Sequence, residues 1–225
     1  MRFIRYICIV LSAMLVMACS AADEAFLYNE WSSAGFEGRT VCAVTVRRSE
    51  SGMVWFQCGD LKIRPSGYRF ERQMRALCEL IVSPLQYPDD EYYPAELLWL
   101  EPIDEGTFTD DAGVSGDDGL DILINSWISS CEDAYLTIHY NTWWGARPGH
   151  HDFYLVAGTD PDDPYVLELR HDSHSDGREQ LSEGIVCFDI NALPDTGGEI
   201  KTLSLKWKKL DGSTGVAKFG FRTRK

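Results

Sequence analysis

Residues 40–58 read TVCAVTVRRSESGMVWFQC, and their pattern points to the fold class. Two runs, Thr40–Arg47 and Met53–Cys58, are alternating, β-branched or aromatic segments. Ser49-Glu50-Ser51-Gly52 between them supplies turn residues, so a β-hairpin is expected. Working outward, Cys58-Gly59-Asp60-Leu61 turns the chain into Leu61–Arg64, which Pro65 stops. Met74–Val82 and Ala95–Ile103 are longer apolar runs bounded by Pro84, Pro88, Pro94 and Pro102. Five strands with one long irregular link in about 80 residues suit a small closed barrel better than a sandwich.

Asp104–Gly119 is rich in Asp, Gly, Thr and Ser and marks a connection. The barrel is accordingly placed at 37–108, the linker at 109–119 and a second domain at 120–225. Seven short segments follow: Leu120–Ile128, Ala134–Asn141, Phe153–Gly158, Tyr165–His171, Gly184–Ile190, Lys201–Lys209 and Ala217–Thr223. Strands at that spacing predict an antiparallel sandwich, giving an all-β chain. In the last three, Val186, Phe188 and Ile190 share a face, as do Leu203, Leu205 and Trp207, then Ala217, Phe219 and Phe221. The sequence contains no internal repeat and no amphipathic helix pattern.

The amino terminus reads as an address. Arg2 and Arg5 precede an apolar run from Ile7 to Met17, too short to span about 30 Å of hydrocarbon and typical of a signal peptide at 1–18. It ends in Val16-Met17-Ala18-Cys19, which resembles the bacterial lipobox, so Cys19 is the expected lipidation site. Two or three acyl chains there would hold the protein on a membrane through a tether at 19–36. Ser20 after the cysteine fits sorting to the outer membrane, while Asp23-Glu24 resembles acidic surface-export signals, leaving the leaflet open. An ordinary secretory signal would instead leave Cys19 free to pair elsewhere.

The net charge of −14 becomes −16 once Arg2 and Arg5 are removed. Between Arg75 and Arg147 there are 15 acidic residues and no Lys or Arg, whereas 201–225 holds eight basic residues and one acid, Asp211. Export and this acidity exclude nucleic acid as a partner. Either charge run reads as a solvated face, or as surfaces for a cation or basic partner and for anionic headgroups.

Pairing the first hairpin about Glu50 sets Val46 opposite Val54, Val44 opposite Phe56 and Cys42 opposite Cys58, the spacing of a disulfide or of two reduced core thiols. His171 continues the Leu167–Leu169 face and His151 the Phe153–Leu155 face, so both are expected in the core rather than on a metal. Asp172-Ser-His174-Ser-Asp176-Gly177 followed by Glu183 resembles a calcium loop, but His174 is a poor ligand for a hard cation and the flank is a strand. It reads as a hairpin loop, and no metal or cofactor is expected. Trp143-Trp144-Gly-Ala-Arg147-Pro-Gly lies between strands, so two indoles beside Arg147 are expected at a loop tip, stacking on sugars, entering a partner's pocket or folding back over the sandwich. Gly113-Val-Ser115-Gly-Asp117 lacks the last glycine of a nucleophile elbow, and no metalloprotease, Walker or dinucleotide motif occurs.

Several stretches together resemble the NigD-like lipoproteins of Gram-negative bacteria. They are Gly116-Asp117-Asp118, Trp127-Ile128, Tyr135–Ile138, His151–Val156, Leu167-Glu-Leu-Arg170-His171 with Asp176, and Val186-Cys187-Phe188-Asp189-Ile190. The resemblance implies a lipoprotein signal, an amino-terminal OB-like barrel and a carboxy-terminal β-sandwich, with Arg170, His171 and Asp176 as framework positions. Cys187 departs from it, standing where a small polar residue is usual. The expected function is a non-enzymatic, lipid-anchored envelope binding or accessory protein, in the direction of bacteriocin protection. The alternative is a surface glycan-binding lipoprotein using Trp143, Trp144 and Trp31.

Overall fold

The computed structural model describes residues 26–27, 38–87 and 89–224, and these are all-β, with 16 strands and no helix. Strands β2 (Gly38–Arg48), β3 (Val54–Cys58), β4 (Leu61–Ser66), β6 (Tyr92–Pro102) and β5 (Met74–Val82) close in that order into a barrel. β4 and β6 run parallel and the other neighbours antiparallel, the pairing of an OB-like barrel. Every second residue points inside, as the period of two requires: Cys42, Val44 and Val46 on β2, and Met74, Ala76, Cys78, Leu80 and Val82 on β5. A β-bulge opposite Glu79/Leu80, where Leu98 is the extra residue, bends β6 around the closure.

The hairpin is present, but its register differs from the expected one. Thr45 faces Gln57 and Val46 faces Phe56, a shift of two residues that keeps every side chain on its expected face. Turn chemistry sets the difference: Ser49 N donates to the Met53 carbonyl, its Oγ accepts from Met53 N, and Gly52 sits at φ 89°. Cys42 is therefore not opposite Cys58. It lies directly opposite Cys78 on β5, and all five described cysteines are free thiols.

The second domain packs two sheets face to face. One runs β1 (Phe26–Leu27), β16 (Thr214–Phe221), β15 (Lys201–Lys208), β13 (Val166–Asp172), β12 (Asp152–Val156) and β8 (Thr107–Thr109). The other runs β10 (Ser130–Glu132), β11 (Tyr135–Trp144), β14 (Gln180–Asp189) and β7 (Asp104–Glu105), with β9 (Asp121–Ile122) beside β11. The three aligned apolar faces read from the last strands all lie in one core with Leu136, Ile138 and Leu155. At about 25 cal/mol per Å² of apolar surface, such faces are the main stabilising contribution of the sandwich.

The linker expected at 109–119 is not a linker. β7 and β8 already belong to the two sandwich sheets, and the residues after them are tied down. Arg170 Nη1 donates to the carbonyls of Ala112 and Val114, and Asp118 accepts from Ser173. The Asp/Gly/Ser composition reflects turns packed on the sandwich. Leu120–Ile128 pairs only at Asp121–Ile122, because Ser126 N and Ser129 Oγ both bond the Leu123 carbonyl and curl the chain. Leu120, Ile122 and Ile128 are buried all the same.

The barrel meets the sandwich across a charged seam. On β2 and β5 the outward residues Ala43, Thr45 and Arg75 are as buried as the inward ones. Arg75 is 1% exposed and donates to Glu132 at 2.8 Å and to Thr45 and Thr137 at 3.3 Å. The two-residue turn Asp133-Ala134 has left-handed φ of 50° and 56° and aims Asp133 at Arg47, 3.1 Å away. Arg224 grips Asp189 with both terminal nitrogens and lies over the Tyr135 ring. Cys187, unusual in the sequence, is 1% exposed because Ile103 and Tyr135 cover it at this seam.

Candidate functional site

The far end of the sandwich gathers the histidines. β11 runs on to Trp144, longer than expected, with Trp143 opposite Leu181 and Trp144 opposite Gln180. Residues 145–151 then carry the chain to β12, and 173–179 join β13 to β14. Asp176 ties the two loops together. Its carboxylate accepts the backbone N–H groups of Gly145 at 2.9 Å, Gly149 at 3.1 Å and Gly177 at 2.9 Å, with His151 Nε2 at 3.4 Å. These bonds, Gly145 first, hold its pKa down at about 2. A Cβ on Gly145 would run into Asp176 Oδ1, so the close approach requires glycine there.

Behind Asp176 the two histidines lie end to end, with His151 Nδ1 at 2.9 Å from His171 Nε2. Trp144 stacks on His151 at 3.9 Å and Phe153 on His171 at 4.8 Å. Burial lowers the pKa of both rings, that of His171 to about 4. Both are therefore neutral at pH 7, and the ionised Asp176 orders their protons. His151 Nε2–H donates to Asp176, so its Nδ1 accepts from His171 Nε2–H, which leaves His171 Nδ1 a bare acceptor. That Nδ1 is buried and has no hydrogen-bond partner among the described residues.

His171 lines a polar cleft of about 30 Å³ with Asp118, Thr142, Ser173, Asp176 and Arg178. Burial disfavours the Asp118 carboxylate, but the Ser173 N–H at 2.9 Å and Oγ–H at 2.7 Å outweigh it and lower its pKa. With Ser173 committed to Asp118, the cleft offers the acceptors of Asp118, Asp176 and His171 together with the donors of the Arg178 guanidinium. It has room for a water or for one hydroxyl- or ammonium-sized group.

The sequence-derived candidates are distributed unevenly around this cleft. Cys19 and Trp31 lie outside the described residues. Trp143 is exposed at 36%, whereas Trp144 turns inward, because neighbours on a strand point to opposite faces. The expected pair of indoles at a loop tip is thus one exposed indole at a strand end, followed by exposed Arg147. Asp172, His174, Asp176 and Glu183 do not converge. Glu183 faces Asn141 along the ladder and bonds His139 at 3.0 Å, while His174 reaches Asp152 at 2.8 Å. No group of three or more His, Cys, Asp or Glu among the described residues is arranged to hold a metal ion. His151 and His171 are buried on the faces their strand phase indicated. Their proton chain to Asp176, and the part of Asp118 and Ser173, escaped the sequence, since the residues come from three separate segments.

This chain shares its fold with several solved structures. No curated protein matches it by sequence. Among solved structures, a candidate toxin-related protein of Parabacteroides distasonis is 24% identical with a TM-score of 0.66, covering 82% of this chain and 93% of its own. A NigD-like immunity protein of Bacteroides caccae is 14% identical with a TM-score of 0.53, covering 79% and 91%. A candidate lipoprotein of Bacteroides fragilis is 15% identical with a TM-score of 0.55, covering 83% and 100%. At these identities the likeness is one of fold. The model of the NigD-like C-terminal beta sandwich domain matches residues 101–221, more than half of the sequence, and the chain belongs to the NigD-like family.

Proposed function

We propose that this chain is a lipid-anchored, non-enzymatic binding or accessory protein of the cell envelope, held on the outer membrane through an acylated Cys19. The lipobox Val16–Cys19 supports the anchor, and the candidate-lipoprotein name of one fold relative agrees with it. The binding half rests on one observation: a buried, partnerless imidazole nitrogen lines a polar cleft together with exposed Trp143. Ligand and partner sites are concavities with a few well-placed polar groups, which describes this end of the sandwich. An immunity role, the word in the name of one fold relative, is the accessory role we assign.

The test is fractionation with crosslinking. Wild type should sediment with membranes and Cys19→Ser should be released, while a photo-crosslinker at Arg147 should capture one envelope protein. Membrane release of neither form, or no crosslink in the producing strain, would sink the reading. Trp143, exposed beside a polar cleft of acceptors and the Arg178 guanidinium, favours glycan binding as the second reading. Only one indole would then stack on sugar, since Trp144 is occupied by His151. A glycan-array signal lost in Trp143→Ala would support it, and a blank array would exclude it.

A further inference from the structure

Three thiols converge in the barrel, remote from the cleft. Cys42, Cys58 and Cys78 are each 0% exposed and point into the same core. Cys42 and Cys78 are register partners on the antiparallel strands β2 and β5, with their Sγ atoms 3.8 Å apart. Directly opposed residues have Cα atoms about 4.5–5.5 Å apart, inside the span that a disulfide bridges. Turning the two side chains toward each other brings the sulfurs from contact to bonding distance without a register change. Cys58 is placed less well for a bond: by the β2–β3 register its opposite number is Val44, so it lies diagonal to Cys42. Cys58 lowers the Cys42 thiol, but Cys78 and burial outweigh it and push it up, while Cys42 and burial push the Cys58 thiol up, so the closed barrel keeps these two thiols protonated and slow to react. The bond must then form while the barrel is assembling.

We infer that Cys42 and Cys78 are the site of a cross-strand disulfide made during folding after export, with Cys58 left as a buried thiol. The inference rests on the export reading above. The oxidant is an external disulfide, that of an envelope dithiol oxidase or of oxidised glutathione. The Cys42 thiolate attacks one of its sulfurs and expels the other as a thiolate. The Cys78 thiolate then attacks Cys42 Sγ in the mixed disulfide and expels the second. Two cysteine thiols lose two protons and two electrons, and the external disulfide becomes two thiols. The product staples β2 to β5 around a separation of 36 residues that contains β3 and β4.

The full chain, expressed with its signal in a Gram-negative host, is trapped with an alkylating agent at lysis, fractionated and analysed by peptide mass. Of the five cysteines after Cys19, three should be alkylated, with one disulfide peptide joining Cys42 to Cys78. Cys58→Ser should keep that bond and alkylate two, whereas Cys78→Ser should alkylate all four remaining. Chain found in the envelope with five alkylated cysteines, or with a bond through Cys58, overturns the inference and spares the export reading. Chain found reduced in the cytosol overturns both. Refolding purified chain in a glutathione buffer tests the pair alone, and failure to form the Cys42–Cys78 bond there also refutes it.

Discussion

Acid should destabilise this protein through His171, and the size of the effect follows from its burial. The ring is 2% exposed and its pKa is pushed down, by burial first and then by His151, to about 4 against 6.5 when unfolded. Between those values the unfolded chain binds the extra proton, so stability rises with pH there and falls as pH drops from about 6.5 toward about 4. At pH 5 the ratio of binding polynomials is about 30, a loss of about 2 kcal/mol relative to pH 7.5. Asp176, held down at about 2, loses its contribution only below the ordinary carboxylate range, so the two effects occupy separate windows. His174, raised by Asp152, works in the opposite direction but is half exposed. The assay is urea unfolding followed by tryptophan fluorescence at pH 7.5, 6 and 5, on wild type and His171→Gln. The difference between the two reports His171 together with its hydrogen-bonded neighbour His151, apart from the exposed histidines. Equal pH slopes in the two proteins would show that the buried pair is not what titrates.

Other perturbations have equally definite outcomes. Arg75→Met removes the buried cation that pairs with Glu132 at 2.8 Å and should cost about 3–5 kcal/mol in urea unfolding, much of it recovered by adding Glu132→Gln. Gly145→Ala drives a methyl into the Asp176 carboxylate and should destabilise by about 1–3 kcal/mol while shifting the His151 and His171 ring signals in NMR spectra. Trp144→Ala should cost at least about 2 kcal/mol, whereas Trp143→Ala should stay within about 0.5 kcal/mol, since only Trp144 is stacked in the structure.

Period was the legible part of this sequence. Alternation along Val186–Ile190, Leu203–Trp207 and Ala217–Phe221 identified the sandwich core because one face of each strand is wholly apolar. It also placed His151 and His171 inside, since they continue such faces. Two-residue shifts are invisible to the same reasoning. A hairpin displaced by two keeps every side chain on its face, so Cys42 was assigned the wrong partner while its inward direction was right. Composition misled at 109–119, where Asp and Gly serve turns packed on a sheet rather than a free connection. Strand length misled at Trp143-Trp144, where pairing with Gln180 and Leu181 extends β11 and separates the indoles. Arg75 gave no signal at all, because its burial depends on a second domain covering the outer face of β5.

That covering explains how two small β units behave as one body. The chain leaves β6 at Pro102 and enters the sandwich sheet at Asp104, so only Ile103 separates the domains. Ile103 is 7% exposed, donates its N–H to the Arg75 carbonyl and receives the Cys187 thiol on its own carbonyl. Arg75 in turn reaches across to Thr137 and Glu132. Separating the units would expose Ile103, Tyr135 and Cys187 and strand an arginine whose hydrogen bonds lie largely on the other side. Neither domain therefore opens independently at low cost. Unfolding monitored by barrel Trp55 and by sandwich Trp207 should give coincident curves, and the sandwich end bearing the cleft is carried on the barrel as a rigid extension rather than on a hinge.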